Sequence, residues 1–205
     1  MPRLTIAQMQ GLVRTMHKTD PAFRVVARSA QLCPIGRERP RTTHFESLVR
    51  SVTGQQVSTA AAQSIYQRVV STAGGTVAPH TIAKLSSEEL RRAGLSAAKC
   101  RTVHELAQRG LNGDIDYARL ARRNDEAVIA ELTEVPGIGR WTAQMFLMFQ
   151  LGRVDVWPIG DLGVRRGWDN LHPADASVSV AQLESHGEQF SGFRSVVAWY
   201  CWRAA

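Results

Sequence analysis

Hydrophobic side chains recur at helical spacing through most of the chain, and no segment alternates apolar and polar residues long enough to predict a strand. Between residues 5 and 16, apolar side chains share one helical face before the Asp20–Pro21 break: Ile6, Met9, Leu12, Val13 and Met16. The same spacing returns in several later segments. The pattern predicts an all-α protein of short helices without an internal repeat.

Capping signals place the next helices after a loop over residues 33–43. Thr43 and Glu46 have capping-box spacing and begin an apolar face that runs to Val52. Gly54 and the two glutamines after it interrupt that face before a second helix through Val69. The interruption predicts a polar junction between two helices.

The middle of the chain carries further start and stop signals. Ser86 and Glu89 repeat the capping-box spacing, and Ser96 begins a helix that we expect to end at Gly110. Residues 116–123 predict another short helix. Asn124 or Asp125 then caps a helix that leads into the next turn.

That turn reads Val-Pro-Gly-Ile-Gly at residues 135–139 and stands immediately before an apolar run. Gly137 and Gly139 tolerate positive φ and close backbone approach, so the turn can be tight, with its amides pointing outward. Such amides, together with a helix N-terminus, can seat a phosphate oxygen. An ordinary helix–turn–helix corner is the alternative.

Beyond the turn, the apolar run predicts a helix through Phe149 that ends at Gly152, followed by a loop containing proline and glycine. Asp161 follows this loop and begins the next helix. As an N-cap it would contribute about 1 kcal/mol. The helix dipole favours negative charge at this place, so the same carboxylate can also serve chemistry.

Composition narrows the classes of partner. The 205 residues carry a formal charge of +7 and a pI of about 10.0, which favours a polyanion or an anionic membrane surface. Solvated basic faces are common, so charge alone does not decide between these partners and plain solvent.

The sequence lacks an apolar run of about 18 residues and a signal-peptide core, which predicts a soluble intracellular protein. Cys33, Cys100 and Cys201 are isolated and predict neither a disulfide, a zinc site nor an iron–sulfur cluster.

Four segments carry a family resemblance. VPGIGRWTAQMFLMFQLGRVDVWPIGDLGVRR resembles the helix–hairpin–helix signature of the DNA glycosylase superfamily. HFESLVRSVTGQQVS, GLSAAKCRTVHELA and FRSVVAWYCWR are similar, in the same order, to segments of its 3-methyladenine DNA glycosylase II branch. The resemblance implies one glycosylase domain over residues 1–205, all-α and two-lobed, with a DNA-binding cleft between the lobes. The central lobe is expected at about 55–155, and the second lobe from 1–54 plus 156–205.

The resemblance also implies roles for individual residues. Asp161, 22 residues after Gly139, matches the catalytic aspartate. Trp141 and Trp202 match aromatic positions of the base pocket, to which we also assign Met145 and Trp157. For Trp157, packing in the core is the alternative.

Residues 135–139, the hairpin, match the family element that binds a DNA phosphate and holds K⁺ or Na⁺ at main-chain carbonyls, here near Val135 and Ile138. No essential metal and no required cofactor are expected. Gln56 falls at the family position whose side chain enters the duplex in place of the flipped nucleotide. Capping of the loop is the alternative role for Gln56. The residues expected to contact DNA are Gln56, Ser58, Val135, Gly137, Ile138, Gly139, Arg140 and Thr142.

The function implied is a monofunctional glycosylase of base excision repair that hydrolyses the N-glycosidic bond of flipped alkylated purines, such as 3-methyladenine and 7-methylguanine. Trp141 stands where bifunctional relatives carry a lysine, so the amine for a Schiff base is missing. Gln144 and Gly192 replace residues that are often glutamate and proline in the family, which leaves pocket detail open. A non-catalytic DNA-binding module and a bifunctional glycosylase/lyase remain the alternatives.

The expected partner is double-stranded DNA containing alkylated bases, bound by a monomer, without a membrane. The protein is expected in the cytoplasm, at the nucleoid, of a bacterium, or in the nucleus otherwise. The sequence leaves the preferred lesion open.

Overall fold

A computed structural model describes residues 3–38, 40–174 and 176–205. These residues form helices joined by turns and loops, with no strand among them, which confirms the all-α prediction. The α-helices are α1 (Ile6–Thr19), α2 (Arg24–Ser29), α3 (His44–Gly54), α4 (Thr59–Thr72), α5 (Pro79–Ile82), α6 (Ser87–Arg92), α7 (Ala97–Asn112), α8 (Asp125–Thr133), α9 (Arg140–Met145), α10 (Leu162–Leu171), α11 (Val180–Gly187) and α12 (Arg194–Ala204). Short 3-10 helices cover Pro21–Phe23, Leu120–Arg122 and Glu188–Phe190, and a π-helix covers Phe146–Gln150.

The chain divides into two compact units. The central unit is Pro40–Phe146, and the terminal unit joins Met1–Arg39 to Leu147–Ala205. The central unit therefore begins before α3, not near residue 55 as expected, because α3 packs against α4 and α7. Its other boundary lies at residue 146 instead of near 155.

Side-chain caps begin the helices of the central unit. Thr43 Oγ1 accepts a hydrogen bond from the Glu46 amide at 3.1 Å, and Ser86 and Glu89 form the predicted capping box. Ser96 caps α7 and Asn124 caps α8. The apolar faces that begin at these caps are buried along α3, α7 and α8, so the periodic pattern of the sequence correctly predicts where the core of this unit lies.

Two predicted helix boundaries in this unit are wrong. α7 continues past Gly110 to Asn112 and ends at Gly113, which adopts a left-handed φ of 85°. Gly110 has a packing role, since a Cβ there would lie 2.6 Å from the Tyr117 ring. Within residues 116–123 only Leu120–Arg122 is helical, as a 3-10 helix. The Asp116 carboxylate accepts from the Ala118 amide at 3.1 Å, a local turn that competes with an α-helix.

The predicted helix through Phe149 is present, but its second half is not an α-helix. α9 ends at Met145, and the π-helix follows it. Because a π-helix has a wider turn than an α-helix, it changes which residues face the core. Met148 is fully buried, whereas Phe149 is 45% exposed.

In the terminal unit, α10 and α12 pack so closely that their backbones touch. A Cβ on Gly167 of α10 would lie 1.9 Å from the carbonyl oxygen of Cys201 on α12. The close approach brings the residue after Cys201, Trp202, to the N-terminus of α10. Among the described residues, no helix has the length and apolar character that crossing a bilayer requires.

Candidate functional site

The hairpin is a tight turn pinned by two buried aliphatic side chains. Val135 is fully buried and Ile138 is 4% exposed, and the Ile138 amide donates to the Val135 carbonyl at 3.0 Å. Gly137 is exposed and has a φ of 93°, a conformation that favours glycine. Gly139 is exposed as well and forms the N-cap of α9. The backbone of both glycines is thus open to an approaching ligand.

Side chains from α7 and from the α3–α4 junction support the hairpin within the central unit. Thr102 Oγ1 donates to the Pro136 carbonyl at 2.8 Å, and a Cβ on Gly137 would lie 2.2 Å from that hydroxyl. Gln55 Nε2 donates to the Gly137 carbonyl at 3.1 Å. Gly137 is therefore required by its φ and by the lack of space beside Thr102.

Gln56 is exposed at the junction between α3 and α4. Its φ is 56°, which makes it the one non-glycine residue with positive φ in the described part of the chain. Such a conformation is rare for glutamine. Ser58, which we expected to contact DNA, uses its hydroxyl to cap α4 through the Ala61 amide at 3.3 Å.

Of the predicted site residues in α9, one is ion-paired, one is buried and two are partly exposed. Arg140 forms a bidentate ion pair with Glu126, at 2.7 and 3.1 Å. Thr142 is buried and its hydroxyl accepts from Gln55 Nε2 at 3.4 Å, so it supports the hairpin from inside. Trp141 is 47% exposed, and Met145 is half-buried.

Asp161 lies at the N-terminus of α10 in the terminal unit, and it is 8% exposed. Its Oδ1 accepts from the Val164 amide at 2.8 Å, which confirms the N-cap prediction, and from Trp202 Nε1 at 2.8 Å. A Cβ on Gly163 would lie 2.9 Å from the Trp202 ring and 3.2 Å from Asp161 Oδ1. The carboxylate is therefore fixed from the backbone and from an aromatic side chain, with glycine required beside it.

Phe149 completes this arrangement, and the sequence pattern did not single it out. Its ring stacks on Trp202 with centroids 5.7 Å apart and planes at 27°. Phe149 remains nearly half exposed. The only signal in the sequence was one more aromatic residue in an apolar run, and its exposure depends on the π-helix.

The loop that leads to Asp161 is held by the start of α12. Arg194 donates to both Asp155 carboxylate oxygens, at 2.7 and 2.8 Å, and Ser195 Oγ accepts from the Val156 amide at 2.8 Å. Burial alone would raise the pKa of Asp155, but the hydrogen bonds and charge of Arg194 outweigh it and hold that pKa below its ordinary value. The sequence indicates Arg194 and Ser195 only as members of a segment similar to the family, whereas the structure shows that they hold Asp155 and Val156 in this loop.

Comparison with known families places these features in context. The sequence matches the HhH-GPD superfamily of base excision DNA repair proteins over residues 49–191, a stretch that contains both the hairpin and Asp161. The chain belongs to this superfamily. It is 34% identical over 179 residues to DNA-3-methyladenine glycosylase 1 of Schizosaccharomyces pombe, covering 83% of this chain and 78% of the relative.

Two solved structures resemble this HhH-GPD chain closely. The 3-methyladenine DNA glycosylase of Schizosaccharomyces pombe, in complex with abasic DNA, has a TM-score of 0.84 at 30% identity and covers 94% of this chain and 95% of its own. A DNA-3-methyladenine glycosidase of Bacillus halodurans has a TM-score of 0.82 at 33% identity, and the match covers 94% of this chain and 88% of the glycosidase. The predicted family and its helical fold are thereby confirmed.

Trp157 is a core residue of this HhH-GPD protein and not a base-pocket residue. It is 8% exposed, its Nε1 donates to the Leu183 carbonyl at 2.8 Å, and its ring packs edge-on against Trp168. A Cβ on Gly187 would lie 2.3 Å from its Nε1. The packing alternative therefore holds, because the indole is already satisfied in the interior.

The monovalent cation expected at the main-chain oxygens of the hairpin stays a prediction. Val135 contributes a carbonyl that accepts one amide hydrogen bond, and a carbonyl oxygen has a second lone pair for another partner. Ile138 is the other residue predicted to contribute its carbonyl. In the described part of the chain, no three His, Cys, Asp or Glu side chains form a metal cluster.

Proposed function

We propose that this protein is a monofunctional DNA glycosylase of base excision repair, which removes flipped alkylated purines and leaves an abasic site. The observation that carries the proposal is the fixed carboxylate of Asp161, nearly buried and bonded to Trp202, in a chain of the base excision repair superfamily. The relatives named as 3-methyladenine DNA glycosylases support the alkylpurine class.

Capture of a base depends on two energies, the cost of taking it out of the duplex and the gain from stacking it on an aromatic side chain. Rotating a nucleotide out of the duplex costs a few kcal/mol, and less for a damaged pair. Stacking on an aromatic side chain returns roughly 1–3 kcal/mol per base. The Phe149–Trp202 stack offers a partly exposed aromatic surface, and a cationic alkylated purine gains further attraction from the ring faces. Weakened or alkylated bases are therefore captured in preference to intact ones.

Hydrolysis needs a stabilised sugar more than a strong acid. Alkylation gives the purine a positive charge, so the base leaves as a neutral molecule with the electron pair of the N-glycosidic bond. The remaining sugar is an oxocarbenium-like cation, which the carboxylate of Asp161 stabilises. Water then bonds to the anomeric carbon and loses a proton, and the product is an abasic site.

Strand cleavage is not expected. It would require an amine that bonds covalently to the sugar, and Trp141 stands at the position where the bifunctional relatives carry lysine. An indole nitrogen forms no Schiff base. The product should therefore be an intact strand with an abasic site.

The hairpin supplies binding. The exposed backbone amides of Gly137 and Gly139 would donate to a DNA phosphate, and the Val135 and Ile138 carbonyls would hold K⁺ or Na⁺ beside it. The cation would add positive charge next to the phosphate. We expect the protein to act as a monomer on duplex DNA, in the compartment that holds the genome.

The test is base release by the purified chain from methylated duplex DNA, with 3-methyladenine and 7-methylguanine measured chromatographically. Release of either base, with strands that break only after alkali treatment, is the expected result. DNA binding without release would instead establish a non-catalytic binding module. A covalent adduct trapped with borohydride would establish the bifunctional alternative.

A further inference from the structure

Lys99 occupies a place where a lysine is unfavourable for its own helix. α7 begins at Ala97 after the Ser96 cap, so Lys99 lies in the first turn, and α7 carries no acidic residue there. The N-terminus of a helix is the positive end of its dipole and disfavours a cation. A residue type that is unfavourable for its own helix indicates a contact with another part of the fold.

That role is visible at the end of α3. Lys99 Nζ donates to the Thr53 carbonyl at 2.8 Å and to the Gln55 carbonyl at 2.7 Å. The last carbonyls of a helix lack partners within the helix and carry the negative end of its dipole, so an ammonium is well suited to them. Desolvation by burial lowers the pKa of Lys99, in line with an ammonium that has given up water for these carbonyls.

The anchored Gln55 directly precedes the strained Gln56. Gln55 is fixed through its amide, which donates to Val52, through its carbonyl, which accepts from Lys99, and through its side chain, which donates to Gly137. Gln56 is exposed with a φ of 56°. A non-glycine residue keeps such a conformation only where its surroundings determine it.

The same face of α7 also supports the hairpin. Thr102 lies three residues after Lys99 and donates to the Pro136 carbonyl at 2.8 Å. Residues three apart on a helix are neighbours on its surface. Within the central unit, one face of α7 thus holds both the Gln56 junction and the hairpin.

We propose that Lys99 is a positioning residue, which holds Gln56 in its left-handed conformation so that the side chain is ready to enter the duplex in place of the flipped nucleotide. The inference rests on the proposed function, because that function makes Gln56 the inserted residue. The ammonium of Lys99 acts on the protein backbone and does not serve as a phosphate contact.

The physical consequence concerns base flipping and not bond cleavage. Without the ammonium, residues 55–57 gain conformational freedom, and ordering them during insertion costs entropy. Flipping from a duplex then becomes rarer. A base in a single strand has no partner to lose and needs no inserted side chain, so its release should respond much less.

The first test compares Lys99→Met with Lys84→Met in the full-length chain. Lys84 is an exposed lysine of the same central unit and serves as the matched control. We expect Lys99→Met to slow single-turnover release of 7-methylguanine from methylated duplex about tenfold, and from methylated single strands less than twofold. Lys84→Met should match the wild type, and Lys99→Arg, which keeps the cation, should recover most of the rate on duplex. An equal loss on both substrates would overturn the proposal.

A double-mutant cycle with Gln56→Ala gives the second test. If Lys99 acts through Gln56, adding Lys99→Met to Gln56→Ala should change the duplex rate less than twofold. Two effects that multiply would contradict the proposal. If thermal unfolding shows that Lys99→Met does not fold, Lys99→Gln takes its place in the same cycle.

A measurement without catalysis separates the two proposals. 2-Aminopurine placed next to an abasic-site analogue in a duplex should become brighter as Gln56 unstacks it, and less so with Lys99→Met. If the wild type brightens the probe, Lys99→Met brightens it less and neither releases a base, the proposed function fails while the Lys99 inference stands. If the wild type is active and Lys99→Met matches it in both assays, the Lys99 inference alone fails. No probe response from the wild type would refute the Lys99 inference, whatever the base-release assay shows.

Discussion

The hairpin and the Asp161 region are built in opposite ways. In the hairpin the exposed groups are main-chain atoms of two glycines, and buried side chains such as Thr102 serve as supports. At Asp161 the functional group is a side chain, and the backbone of α10 serves as one of its supports. The proposed function requires the absence of a Cβ in the first region and one particular carboxylate in the second. Substitutions should therefore affect binding in the first region and chemistry in the second.

The largest effect should follow from Asp161→Asn. Asparagine has the same shape and also caps helices, so Val164 and Trp202 retain an acceptor. Losing the negative charge should slow base release by roughly 10²–10³-fold, the size found when one electrostatic group is removed from an active site. Binding to an abasic duplex, measured by fluorescence anisotropy, should change less than about twofold. Undiminished release of 3-methyladenine would remove Asp161 from the mechanism.

The two hairpin glycines should separate folding from binding. Gly137→Ala introduces a Cβ at a φ of 93° and within 2.2 Å of Thr102, so it should lower the free energy of unfolding by roughly 1–3 kcal/mol. Gly139→Ala meets no atom within 4 Å, so it should lower the free energy of unfolding only by the roughly 1 kcal/mol that alanine costs at an N-cap. It should still weaken duplex binding about tenfold, through obstruction of the approach of a phosphate to the backbone.

For Gly139→Ala, the rate of release at saturating enzyme should match the wild type. A fall in that saturated rate would break the distinction between the two regions. Wild-type affinity would show that the Gly139 backbone does not seat a phosphate.

Trp202→Phe tests whether the aromatic ring or the indole N–H matters more at Asp161. Phenylalanine keeps a ring that can stack on Phe149 but removes the donor to Asp161 Oδ1, so release should fall about tenfold, the value of a hydrogen bond to a charged group. Trp199→Phe on the same helix is the control, since its indole N–H has no hydrogen-bond partner among the described residues. Equal kinetics for both variants would assign Trp202 to stacking alone.

The smallest effect should come from Asp155→Asn, measured as thermal stability against pH. The pKa of Asp155 is held below its ordinary value, so its ionised form stabilises the fold near pH 7, and this contribution is lost as the pH falls below about 4. The variant should melt roughly 2–4 °C lower than the wild type at pH 7, and the difference should shrink in acid. Arg119→Gln, which breaks the exposed ion pair with Asp116, should change neither the melting temperature at pH 7 nor its dependence on pH. A constant difference at every pH would rule out the ion pair as its cause.

Local chemistry made much of this molecule predictable. The Ser86–Glu89 box, the Ser96 cap and the Asp161 cap depend on residues three apart, and all three are present in the structure. The turn at Gly137 is likewise local, since its φ favours glycine. Other features depend on distant partners. The packing of Gly110 against Tyr117, the core position of Trp157 and the exposure of Phe149 are set by neighbours in space, which hydrophobic spacing does not report.

The sequence by itself determined the helical class, the capped helix starts, the hairpin, the catalytic candidate Asp161 and the lack of a lysine at position 141. The first three of these features follow from short-range spacing, whereas the roles of Asp161 and of position 141 were implied by the family resemblance. Only the tertiary structure decided where the two units divide, which tryptophan contacts Asp161, and that Lys99 binds the end of α3. Those outcomes are contacts between residues more than 40 positions apart, and the close approach of packed helices determines them.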